Sequence, residues 1–399
     1  MKKWVILADD FTGAFDTGAQ FASTGYQTFL ILNSLGKIDR ETADVIILSS
    51  DSREVLPSAA ESHVRKIVRN IPDERRIYKK IDSALRGNLE DEILAVMSES
   101  GYQKALICSA APLQGRTISD GVLFVNGVPI DQTDFRNDPK CPIKNAAIVR
   151  FFAKKQPALC DLSVIHQGVD PVKQFVADCN SELILCDAQT EEDLLTLGQV
   201  CVEDEALLPC GSNGFAKAIR IAEKHGDGNA AGSACYQDWG MTEEYQLILS
   251  GSAHPKTERQ LALMKEKTQT GFFPITPQDS KDEKLAEILT AIESGIRTIV
   301  ITQASRSLDP IWRNIGDLIS EIGGDLVRVK PPGKSIIIGG QTAAAFFKQV
   351  DIDRVFVKGE VEAGVPWGIM KCNAKEIQII SKAGSFGSED LLLKLVEKL

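Results

Sequence analysis

The chain has 399 residues, 43% hydrophobic and 25% charged, enough apolar material for two buried cores and so for two domains of similar size. A formal net charge of −10 with no basic run argues against a nucleic-acid or anionic-membrane partner, while leaving room for small anions, which need only a few local cations. The N-terminus enters an apolar strand and then two aspartates, and no apolar run nears the ~18 residues of a membrane helix, so the expectation is a cytoplasmic protein without a signal peptide.

Short β-rich runs alternate with helical patterns. Strands are expected at 3–8, 28–32, 45–48, 77–79, 105–108, 163–166 and 183–186, with helices at 13–23, 58–70, 89–100, 170–178, 191–200 and 213–224. Residues 115–143 break the pattern and read as an irregular or hairpin insertion suited to cover a substrate. A glycine-rich stretch follows, so the expected division is 1–225, a linker at 226–243, and 244–399. Alternation resumes at 245–249, 256–267, 281–294, 298–302, 310–322, 335–338, 342–350, 354–358, 376–380 and 390–397. The fold class expected is α/β: two α/β domains with mainly parallel sheets and the active site in the inter-domain cleft. The nine cysteines and four histidines show no C-x-x-C or H-E-x-x-H spacing, so neither a disulfide framework nor a zinc site is expected, and any metal ligands stay unassigned.

In open α/β sheets ligands bind beyond the carboxyl ends of the strands, so the chemistry is sought there. After the first strand come Asp9 and Asp10, leading into Thr12 and Gly13. Helix capping explains one acid; two adjacent acids at a strand end point to a polar ligand or to a base. After the third strand, Arg53 stands among serines; its planar fork matches a carboxylate, and a surface ion pair is the plainer alternative. Lys80, Asp82, Ser83, Arg86, Gly87 and a capping Asn88 are packed before the helix at 89–100, a density that suits an anionic, polyhydroxylated ligand better than a solvated loop.

Three strand-end turns in the second half combine glycine with hydroxyls: Ser250-Gly251-Ser252, Gly339-Gly340-Gln341-Thr342 and Lys382-Ala383-Gly384. Such turns offer free backbone N–H groups at helix starts, which is a phosphate site. Gly333-Lys334-Ser335 is a decoy, because Arg328 occupies the first glycine position of a Walker motif and a strand follows. No G-x-G-x-x-G follows a strand, no G-x-S-x-G occurs, and His254 reads as a helix cap or polar-surface residue.

At these residues the chain resembles the four-carbon acid sugar kinase family. The resemblance runs over Asp9–Ala14 with Asp16, 80–83 through 86–88, 250–252, 339–342, 364–368 and 382–387, nearly the whole chain in order. Gln341 and Ala253 depart from it, since the family commonly has Glu and Cys there. The resemblance implies a sugar-acid-binding N-terminal domain and an ATP-binding C-terminal domain. It implies phosphorylation of the terminal (4-) hydroxyl of D-threonate or D-erythronate, with 3-oxo-tetronate as the alternative; 135–143 looks closer to the first branch. Asp10 or Asp9 would take or orient the hydroxyl proton, with the substrate carboxylate near Arg53, Lys80 and Ser83 and with Asp82 and Arg86 on its hydroxyls. ATP would meet Ser250, Gly251, Ser252, Gly339, Gly340, Gln341, Thr342, Lys382 and Gly384, with Mg²⁺ on the phosphates. Homodimerisation is the base-rate expectation. A sugar-acid aldolase or ligase and a non-catalytic sugar-acid and nucleotide-binding regulator are the competing classes.

Overall fold

The structure, a computed structural model, describes residues 3–32, 43–138, 140–227, 244–305, 315–350 and 352–397. In chain order the strands are β1 (Lys3–Ala8), β2 (Thr28–Ile31), β3 (Val45–Ser49), β4 (Arg75–Lys80), β5 (Lys104–Cys108), β6 (Arg116–Ser119), β7 (Val122–Val125), β8 (Val128–Pro129), β9 (Ala158–Cys160), β10 (Leu183–Cys186), β11 (Leu207–Gly211), β12 (Gln246–Ser250), β13 (Thr270–Ile275), β14 (Thr298–Gln303), β15 (Lys334–Ile338), β16 (Arg354–Glu362), β17 (Val365–Cys372) and β18 (Lys375–Lys382). The α-helices are α1 (Phe11–Ala22), α2 (Pro57–Val68), α3 (Leu89–Ser100), α4 (Leu162–Ile165), α5 (Val169–Asp178), α6 (Glu191–Glu203), α7 (Asn213–Asp227), α8 (Pro255–Lys267), α9 (Lys281–Glu293), α10 (Ile315–Val329), α11 (Gly340–Gln349) and α12 (Leu391–Glu397).

The chain divides into two compact units, Met1–Thr28 with Asn33–Ser233, and Phe29–Leu32 with Ala234–Leu399. Most of the expected linker, residues 228–243, lies outside the described residues. In the first unit the strands run parallel in the order β3-β1-β4-β11-β5-β10-β9. Residues 4–8 of β1 are all fully buried, as expected of a strand covered on both faces. Trp4 packs on Phe21 of α1 with ring centroids 5.9 Å apart. The 115–143 insertion carries a small antiparallel sheet, β6-β7-β8.

The second unit has the order β13-β14-β12-β15-β18-β17-β16-β2, parallel as far as β18 and antiparallel from β18 to β16. Ile248, Val300, Ile336, Trp367 and Leu392 form its core. The strand expected at 28–32 belongs here: Leu32 N–H donates to Asp353 O at 3.0 Å and Phe29 packs against Phe356. No helix among the described residues is long and apolar enough to cross a membrane.

Both units are α/β with mainly parallel sheets, as expected. One element is corrected. Residues 163–166 are not a strand but lie in α4 and its C-terminal cap, because Asp161 Oδ1 accepts from the Ser163 and Val164 N–H groups and starts a helical turn.

Candidate active site

β1 lies between β3 and β4 in parallel register, so Ala8, Ser49 and Lys80 end level with one another. The segments leaving those ends therefore meet. The Arg53 fork grips Asp9, with Nε donating to Oδ2 at 2.7 Å and Nη2 to Oδ1 at 2.9 Å. Its Nη1 donates to Asp10 Oδ2 at 2.6 Å. The other Asp10 oxygen accepts the Gly13 N–H at 2.8 Å and caps α1. Capping thus accounts for half of one carboxylate and none of the other.

The two aspartates differ in access and charge. The Asp9 side chain is 2% exposed and that of Asp10 is 26% exposed. Burial acts to raise the pKa of Asp9, but Arg53, Lys79 and Lys80 outweigh it and hold Asp9 below the ordinary value. Asp10 is raised instead, by burial together with repulsion from Asp9, against Arg53 and Lys80. Neighbouring carboxylates pushed apart in this way are the pattern of an acid–base site.

Adjacent lysines on β4 point to opposite faces. Lys79 pairs with Glu92 at 2.7 Å, both side chains no more than 2% exposed. Ser52 Oγ donates to the other Glu92 oxygen at 2.7 Å. Breaking this buried pair leaves an uncompensated charge, so Lys79→Met is expected to cost about 3–5 kcal/mol in urea unfolding; a loss below about 1 kcal/mol would show the pair is dispensable. Lys80 turns the other way. Its Nζ lies 2.8 Å from where a Gly13 Cβ would sit, and Asp10 Oδ1 lies 2.7 Å from the same point. The ammonium therefore stands at the N-terminus of α1 beside the Asp10 carboxylate, in a residue only 4% exposed. Gly13 is needed there because any side chain would fill that space.

The next turn closes the site. Arg86 clamps Asp82, Nε to Oδ2 at 2.7 Å and Nη2 to Oδ1 at 3.2 Å, and its Nη1 reaches Asp138 Oδ2 at 3.1 Å. Arg53 Nη2 lies 3.9 Å from Asp82 Oδ1. Burial would raise the pKa of Asp82, but Arg86, Arg53 and Lys80 hold it far below the carboxylate range. Ser83 is half-buried in the same turn. Asn88 does not cap α3 with its side chain as expected; its amide donates to Ser52 O and Val55 O, at 2.8 and 3.0 Å, and binds the two loops together. A cavity of about 630 Å³ opens beside these groups, lined by Arg53, Arg86, Gly87, Asn88, Cys141 and Ile143 among others. The 115–143 insertion thus supplies part of its wall and, through Asp138, a partner for Arg86. Sequence reasoning missed Asp138 and Glu92. The adjacent lysines were a signal for Glu92, because one of the two had to face a buried partner.

In the second unit β12, β15 and β18 are parallel neighbours, and Ser250, Ile338 and Lys382 end level. The three glycine turns converge there. A Cβ at Gly251 would collide with Thr342 Oγ1, and one at Gly384 with Ser252 Oγ and, at 2.8 Å, with His254 Cβ. Gly339, with φ +109°, donates its N–H to Lys382 O at 2.9 Å, and Thr257 Oγ1 donates to Gly384 O at 2.9 Å. The α8 and α11 N-termini open at this spot; His254 caps α8, its Nδ1 accepting the Lys256 N–H at 3.1 Å. Ser250 Oγ is buried without a partner, whereas Gln341 is exposed at the start of α11. Lys382 is fully buried; burial, then the charge of Lys256, lowers its pKa to about 7. Free N–H groups, hydroxyls and an ammonium with little anionic company are what a polyphosphate requires.

Residues 4–219 match the sugar-binding N-terminal domain family and residues 247–392 the nucleotide-binding C-terminal domain family. With kinases of four-carbon acid sugars among the curated relatives, these matches define the class as a phosphotransferase with an alcohol acceptor. The chain belongs to the four-carbon acid sugar kinase family. A D-threonate kinase from Cupriavidus necator is 29% identical over 98% of this chain and 96% of its own length. A D-erythronate kinase from Heliobacterium modesticaldum is 27% identical over 100% of this chain and 97% of its own, and a 3-oxo-tetronate kinase from Brucella melitensis is 26% identical over 96% and 93%. A solved structure from Salmonella typhimurium LT2 shares the fold with a TM-score of 0.84 at 20% identity, covering 99% of this chain and 98% of that one.

Proposed function

We propose that the enzyme transfers the γ-phosphoryl group of ATP to the terminal (4-) hydroxyl of D-threonate or D-erythronate, in the cytoplasm, with Asp10 as the general base. The observation that carries this is the split pair of aspartates: an accessible carboxylate of raised proton affinity held by Arg53 beside a buried one of lowered affinity. In the transfer the hydroxyl proton passes to Asp10, the substrate oxygen bonds to γ-phosphorus, and the bond from γ-phosphorus to the ADP oxygen breaks. Arg53 is engaged by both aspartates, so its role is to fix them and to bias their charges. Lys80, at the α1 N-terminus, offsets negative charge at the reacting end. The substrate hydroxyls bond to Asp82, Ser83 and Arg86.

The nucleotide phosphates take the three turns of the second unit. No cluster of three or more metal-ligating side chains occurs among the described residues; Ser252 and Thr342 would offer neutral oxygens to a Mg²⁺ ion, which would supply charge neutralisation for the phosphates. The Lys382 pKa of about 7 gives a measurable consequence. At pH 8 the free enzyme holds this lysine mostly neutral, and phosphate beside it raises its pKa, so nucleotide binding takes up a proton. Calorimetry in buffers of different ionisation enthalpy should show an uptake approaching one proton at pH 8 and fading below pH 6. No uptake at any pH would remove Lys382 from the phosphate site.

The deciding experiment is ADP release from ATP with D-threonate, D-erythronate and 3-oxo-tetronate in parallel, with the phosphorylated carbon located by ³¹P NMR. Turnover of the 3-oxo acid alone would replace the proposed substrate. Phosphate on any carbon but the terminal one would sink the proposed chemistry.

A further inference from the structure

A half-buried cation that pairs with no anion among the described residues stands beside the carboxylate cluster of the first unit. Arg116 opens β6, and its backbone is tied to the segment after β5: its N–H donates to Ala111 O at 3.1 Å and it accepts the Ala111 N–H at 2.9 Å. Its half-buried side chain donates from Nη1 to Gln114 O at 2.6 Å, while Nε is buried and finds no partner. Its guanidinium carbon lies 5.7 Å from the Phe135 ring centroid, the ring that Arg86 approaches at 5.5 Å. Three arginines thus gather here. Arg53 is gripped by Asp9 and Asp10, and Arg86 by Asp82 and Asp138. Arg116 alone of the three forms no ion pair with any described residue.

The electrostatics follow the same division. Carboxylates push the pKa of Arg53 and Arg86 up against the effect of burial, whereas burial pushes that of Arg116 down, only partly opposed by Asp82 and reinforced by Arg86. A desolvated guanidinium with an orphaned N–H destabilises the fold unless an anion arrives.

We propose that Arg116 receives the carboxylate of the acid sugar and so fixes the substrate by the end opposite its reacting hydroxyl. The inference rests on the acid-sugar kinase reading of this unit. Geometry supports the division of labour. Lys80 stands at the Asp10 end, where the hydroxyl reacts. The Arg53 guanidinium bridges Asp10 and Asp82, Arg86 clamps Asp82, and Arg116 shares the Phe135 ring with Arg86. Placed so, Arg116 also selects. A polyol lacking the carboxylate leaves a buried guanidinium unpaired and is rejected for that reason.

The test compares wild type, Arg116→Ala and Arg116→Lys on the preferred tetronate and on the matching tetritol, with KM for ATP measured alongside. Arg116→Ala should raise the tetronate KM roughly 10- to 100-fold, leave kcat and the ATP KM within a few-fold, and erode the preference for acid over tetritol by the same factor. Added guanidinium ion should restore part of the loss. Phe135→Leu, which removes the ring but keeps the guanidinium, should keep the preference. An unchanged tetronate KM in Arg116→Ala would overturn the proposal, as would equal losses on both substrates, which would mark a packing role. If Arg116→Ala fails to fold, Arg116→Lys decides by the same ratio. A wild type that turns over no tetronate would sink the kinase reading instead. Arg116 would then stand if four-carbon hydroxy acids raise the Tm of wild type and not of Arg116→Lys, and fall if they do not.

Discussion

Asp10→Asn should lower kcat by about 10²- to 10⁴-fold, the range that general-base catalysis contributes, while nucleotide affinity stays near that of wild type. The substitution is well matched to the question. Asparagine still accepts the Gly13 N–H and caps α1, so the fold is retained. What it loses is the proton acceptor and one charge on Arg53. The pH profile supplies an independent readout. Asp10 must be deprotonated to act, and its pKa lies above the ordinary 3.8, so wild-type kcat/KM should fall with decreasing pH through a limb placed above that value. The limb should vanish from the residual activity of Asp10→Asn. Turnover near that of wild type would strike Asp10 from the mechanism. A limb that persists unchanged in the variant would pass the base role to another group.

The second large effect concerns the nucleotide side. Gly384→Ala would set a Cβ against Ser252 Oγ and within 2.8 Å of His254 Cβ, where two of the three converging turns touch. One turn has to yield, and a shift near 1 Å in a site that works by positioning costs on the order of 10²-fold in kcat/KM for ATP. The proposed acid-sugar site, built on other strands, should keep its affinity, which a competition assay with an unreactive acid reads directly. Unaltered ATP kinetics would mean that the phosphates do not use this turn.

Much of the site was legible because its parts sit at strand ends. Parallel strands in register bring their carboxyl ends to one line, so Asp9, Arg53 and Lys80 group together from the sequence alone. The same logic grouped Ser252, Thr342 and Gly384. The strands that escaped notice carry physical reasons. β11 contains Pro209, which argues against a central strand, yet β11 pairs with β4 only at Cys210 and Gly211, beyond the missing N–H. β13 carries Pro274 at the sheet edge, where a missing donor is tolerated. Local pattern also misread 163–166, where one capping aspartate outweighs the β-propensity of two β-branched residues.

By itself the amino-acid sequence determined the α/β class and the strand-end turns, with the side chains of the reacting groups, because periodicity and turn chemistry are local. The contacts within the site were decided by the tertiary structure alone. Arg53 bonds carboxylates of its own chain, Asp9 and Asp10 take opposite pKa shifts, and Arg116 pairs with no carboxylate among the described residues. Charge and burial at a residue are sums over neighbours distant in the chain, and no spacing rule contains those sums.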